Sequence, residues 1–202
     1  MNVSDFKHAL LNKTLDVVAN DILLAPGAKH VDQAVLIDAA NKLRSKFQIG
    51  AVHQLEVIVV GSAKLGFSVT EKAVPGGRPL PRYREFDPAN SDIDLAIVSQ
   101  KLFFDIWKTL SFYSHQQSVF PWDTQLAKYM VLGWIRPDHF PQMNRPLPCQ
   151  KWWELFNQFS ISKEFGRRKV RGGLYFHKDF LIQYQQRALI GAYQAEFTEA
   201  SK

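Results

Sequence analysis

Apolar residues recur along this chain at two different spacings. Near the N-terminus Phe6, Leu10, Leu11, Leu15 and Val18 follow one another at helical intervals, and Ser4 is placed to cap such a helix. Ala25-Pro26-Gly27 breaks the pattern. Val31, Val35, Ala39 and Leu43 then predict a second helix reaching about Phe47 and ended by Ile49-Gly50. At LEVIVVGS, residues 55–62, the character changes. This β-branched run, stopped by glycine, predicts a buried strand. Residues 63–90 carry five prolines or paired glycines in their centre and predict no regular element, whereas SDIDLAIVS, residues 91–99, predicts a second strand.

A helix follows from about Lys101 to Ser114, with Leu102, Phe103, Ile106, Trp107 and Leu110 apolar. Residues 118–150, including WIRPDHFPQMNRPLPC, mix prolines and aromatics without a period. A short helix near Lys151–Phe159, a third strand over Arg168–Phe176 and a closing helix from Phe180 to about Phe197 complete the chain. This order predicts a mixed α/β (α+β) fold: a small mixed sheet flanked by helices, with further helices at the N-terminus. At 202 residues the chain suits one domain. Residues 1–50 form its helical part, residues 55–99 its motif-bearing core, and residues 69–90 an insertion within that core.

Composition narrows the function classes. Hydrophobic residues at 46% and charged residues at 22% exclude wholesale disorder. The lone Cys149 excludes an intrachain disulfide and a Cys-x-x-Cys zinc site, and has no recognisable partner for a nucleophilic dyad. No apolar run is long enough to span a bilayer, and the first residues lack the apolar core of a signal peptide, so a reducing cytoplasm and no membrane partner are expected. The net charge of +6 is concentrated between Lys163 and Arg187, where seven bases face two acids. Such a stretch attracts phosphate, and Arg167, Arg168, Lys169 and Arg171 suit a triphosphate or acceptor phosphate.

Two elements carry candidate chemistry. Gly61-Ser62 closes the first strand. Glycine allows a sharp turn and close ligand approach, and exposed N–H groups with a hydroxyl can cradle phosphate, with Lys64 adding charge. Asp92 and Asp94 open the second strand. Residues i and i+2 share a face, so the two carboxylates project together and repel unless a hard cation such as Mg²⁺ joins them.

The pair VVGSAKLGF and SDIDLAIVS resembles the nucleotidyltransferase superfamily typified by DNA polymerase beta, whose hallmark is hydrophobic-Gly-Ser, a spacer, then Asp-hydrophobic-Asp-hydrophobic. The likeness covers about residues 55–99. It implies that Gly61 and Ser62 hold the β- and γ-phosphates of a nucleoside triphosphate (NTP) and that Asp92 and Asp94 bind two Mg²⁺ ions. It implies transfer of a nucleotide to an RNA, protein or small-molecule hydroxyl, in a setting such as a prokaryotic toxin–antitoxin or antiviral module. Gly66 fits the second small position of the Gly-Ser helix.

Two departures stand out. Members use a much shorter spacer than the 30 residues from Ser62 to Asp92. The inserted segment, with Lys72, Arg78, Arg82 and Arg84, is expected as a lid, an acceptor clamp or a surface loop. Members also use a third carboxylate on a later strand, yet KVRGGLYF has none. Glu164, Asp179 or, more remotely, Glu154 is the candidate. Two carboxylates alone, or a degenerate fold acting as a binding or inhibitory subunit, are the alternatives. Trp107, Trp152, Trp153 and Phe156 are expected in the core; Trp134 or Tyr175 would be the aromatic to stack on a base, and His177 the histidine nearest the third strand.

Overall fold

The computed structural model describes residues 1–116, 123–140 and 146–200. Part of the proline-rich run, residues 141–145, therefore lies outside the described residues.

The first helix, α1 (Val3–Asn12), is capped by Asn2 and not by Ser4. The Asp5 N–H donates to Asn2 Oδ1 at 2.8 Å and the Asp5 carboxylate accepts in return, so one reciprocal cap satisfies two free ends. Lys13 is extended and Thr14 caps α2 (Leu15–Val18), which runs into a π turn at Ala19–Leu23. The expected single helix is thus two. Next come α3 (Gln33–Phe47), β1 (Glu56–Val60), α4 (Ser62–Leu65), β2 (Ile93–Val98) and α5 (Gln100–His115), the last capped by the buried Ser99. The second half contains α6 (Asp123–Val131), β3 (Trp134–Ile135), a 3-10 turn at Pro137–His139, α7 (Leu147–Ile161), β4 (Val170–Tyr175) and α8 (Lys178–Ala200). The expected third strand is β4. The aperiodic stretch hides α6 and β3.

The four strands form one mixed sheet in the order β1-β2-β4-β3. β1 runs antiparallel to β2 with Val60 opposite Asp94, and β2 runs parallel to β4 with Asp94 opposite Arg171. β3 closes the far edge antiparallel to β4. The fold is therefore the mixed α+β class expected from the pattern.

Alternation along β2 sends Ile93, Leu95 and Ile97 to one face, where α3, α5 and α7 cover them with Leu43, Ile106, Trp152 and Phe156. Ala96 and Val98 join the opposite face, covered by Phe6 and Leu10 of α1 and by Leu181 and Leu189 of α8. Each large side chain buried this way contributes roughly 1.5–3 kcal/mol. Close packing also explains a glycine in β4. A Cβ on Gly172 would run into the rings of Phe156 and Trp152. Trp107 and Trp153 depart from expectation: they stay 40% and 37% exposed. Among the described residues no helix is long and apolar enough to cross a membrane.

Candidate active site

β1 ends at Val60, and Gly61 turns the chain with φ +69° and ψ −153°, a region that suits glycine alone. The same glycine leaves room for its neighbour across the strands. A Cβ on Gly61 would lie 3.3 Å from the Asp94 carboxylate oxygen Oδ2. The Gly-Ser turn and the second aspartate are therefore in contact range, as the triphosphate reading requires. Ser62 opens the one-turn helix α4 beside them.

Asp92 and Asp94 sit at and just before the start of β2, two positions apart. Asp94 is half-buried. Burial raises its pKa above the ordinary value and the Asp92 charge raises it further, while Arg171, Arg136 and Lys72 act the other way. Lys72 comes from the inserted segment, which thus extends to the site. That segment is pinned at its base by Tyr83 and Phe67, whose rings meet Phe6 of α1, and is bridged higher up between Lys72 and Leu80. Arg82 is taken by Glu71 at 3.1 Å.

Lys64 does not join the cradle. It is buried, and its ammonium donates to the carbonyls of Ala25 and Gly27, which tie α4 to the segment before α3. Gly66 is small for another reason than ligand access: its φ is +90°, and a side chain there would meet Lys29.

The expected third carboxylate is not at the acids. Glu154 pairs with Lys46 at 2.8 Å. Glu164 lies in the turn before β4, where its own backbone N–H and Ser162 hold its pKa down and Lys42 adds to the effect. Asp179 follows the opposite end of β4 and stands 3.1 Å from His177 Nδ1. Arg171 fills the place instead. It is the register partner of Asp94, and its guanidinium lies 2.8 Å from the Asp92 carboxylate. Trp134 is buried and stacked on Tyr175, so neither ring is open to a base.

The two acids supply hard carboxylate oxygens, one of them poorly solvated and repelled by the other. This donor set fits one Mg²⁺ whose remaining ligands would be phosphate oxygens and water. Among the described residues no group of three or more His, Cys, Asp or Glu side chains is placed to hold a metal.

Sequence patterns also miss three residues. Arg136 follows β3, and its Nε and Nη2 donate to Asp138 at 2.8 and 2.5 Å. Arg136 acts on Asp94 electrostatically, and with Asp138 and His139 it lines a cavity of about 310 Å³ at the start of β4. Charged residues directly after the apolar pair Trp134-Ile135 were the available signal.

Comparison with known proteins gives no match: no family model fits the chain, and no curated protein or solved structure is significantly similar to it.

Proposed function

We propose that this protein is a magnesium-dependent nucleotidyltransferase that moves a nucleotide from an NTP to a hydroxyl acceptor. The observation that carries the reading is the Asp94 carboxylate set against Gly61. Bare backbone at Gly61 lets a triphosphate approach the acids, and Ser62 offers a hydroxyl and an N–H to it. Asp92 and Asp94 would hold the cation. Magnesium, when bound, supplies neutralisation of phosphate charge and polarisation of the reacting phosphoryl group. Arg171 and Arg136 bring fixed positive charge to the same place. The acceptor oxygen bonds to the α-phosphorus and pyrophosphate leaves. With no third acid grouped with these two among the described residues, the acceptor proton passes to water or to a substrate phosphate oxygen.

Arg171 favours a second reading, a degenerate fold that serves as a binding or inhibitory subunit. A cation must compete with its guanidinium for Asp92. Labelled NTP, Mg²⁺ and cell extract separate the two. Label transferred by the wild type and lost in Asp92→Ala/Asp94→Ala supports the enzyme. No label from either protein, with partner capture intact in both, supports the subunit.

A further inference from the structure

The cavity of about 310 Å³ opens where α7, the first residues of β4 and the 3-10 turn after β3 meet. Three cations line it: Lys169, and Arg136 and Arg171, which also pair with Asp138 and Asp92. Its one acid is Asp138, already held by Arg136 through two contacts. His139 adds a ring that burial and the Arg136 charge keep neutral, and so contributes hydrogen bonding without charge. Trp153 of α7 provides an aromatic wall and is partly exposed.

The sheet order gives this cavity its meaning. β2 lies between β1 and β4, so Gly61 stands on one side of Asp94 and Arg171 on the other. Arg171 both lines the cavity and pairs with Asp92, and so links the cavity to the acids. We propose that the cavity seats one nucleotide of a single-stranded RNA acceptor, its phosphate against Lys169 and Arg171 and its base against Trp153. The word acceptor rests on the transferase reading; the binding site rests on the cavity alone.

The size suits a single nucleotide and leaves no room for a duplex. Cations combined with an aromatic wall are the means by which single strands are held without sequence readout. An acidic peptide would satisfy the cations and leave the tryptophan unused.

Fluorescence anisotropy with a short labelled single-stranded RNA, in EDTA and without NTP, tests the site. The wild type should bind, and log affinity should fall linearly with log salt. Lys169→Gln/Arg171→Gln should bind at least about tenfold more weakly, with the salt slope reduced by about two. Trp153→Leu should weaken binding and leave the slope unchanged. Lys169→Arg should bind like the wild type, and circular dichroism should show every variant folded. Failure of the wild type to bind RNA, unchanged affinity in the double variant, or equal binding of poly-glutamate overturns the proposal. If RNA binds as described but the wild type transfers no label from NTP, the cavity stands and the transferase reading falls.

Discussion

Arg171 lies opposite Asp94 on the neighbouring parallel strand and reaches Asp92 at 2.8 Å. One guanidinium thereby offsets two carboxylates that would otherwise repel each other. It stands on the later strand where the nucleotidyltransferase reading expects a third acid. A cation proposed for the two acids would meet an existing partner at Asp92.

Removing that partner should favour the cation. The ion pair is partly exposed, and such pairs are worth up to about 1 kcal/mol. Arg171→Ala should bind Mg²⁺ severalfold more tightly, as read by isothermal titration calorimetry. Equal or weaker affinity would mean that Asp92 and Arg171 do not compete with the ion.

The half-buried carboxylate should make stability depend on pH. Asp94 has its pKa raised in the fold, first by burial and then by Asp92. The folded state therefore holds this proton more tightly than the unfolded chain does. Its contribution is fully present below the ordinary value of 3.8 and is lost as pH rises through the folded value. Asp94→Asn, which cannot ionise, should melt at a higher temperature than the wild type at pH 7 in EDTA. The gain should shrink steadily as the buffer is taken toward pH 4. A constant difference across that range would contradict the assignment.

Gly61→Ala faces two obstacles. Its backbone lies in a region that other residues reach at a cost of about 1–3 kcal/mol, and its methyl would press on Asp94. Chemical denaturation should show a loss of that order. NTP binding, followed by a fluorescent analogue, should fall as well. A variant as stable as the wild type would place Gly61 in an ordinary turn.

Lys64→Met should act on stability alone. Two carbonyls, of half-buried Ala25 and exposed Gly27, lose their donor, and each lost hydrogen bond costs about 0.5–1.5 kcal/mol. NTP affinity of the folded fraction should match the wild type. A selective loss of NTP affinity would restore Lys64 to the phosphate cradle.

The parts legible in the sequence are those set by local rules. β1 announces itself as a β-branched run and β2 as an apolar run interrupted by Asp94, and a period of two places Asp92 and Asp94 on one face. β3 escapes because two residues carry no period, and its existence depends on pairing with the remote Leu174 and Tyr175. Lys64 looks like a phosphate ligand by position. The carbonyls that turn it away come from a loop whose docking no spacing rule predicts. Arg171 is visible as a base in the third strand, yet its meaning lies in register, and register between distant strands is fixed by whole-sheet packing. The same holds for Arg136 and Asp138.

Strand β2 pairs on one side with residues 56–60 and on the other with residues 170–175. A chain emerging from the ribosome therefore carries the Gly-Ser turn and both aspartates long before it carries Arg171. Until β4 docks, Asp92 lacks its guanidinium partner and one edge of β2 has no strand to pair with. Any cut or premature stop before residue 170 leaves a fragment with the recognisable motif and none of the finished site.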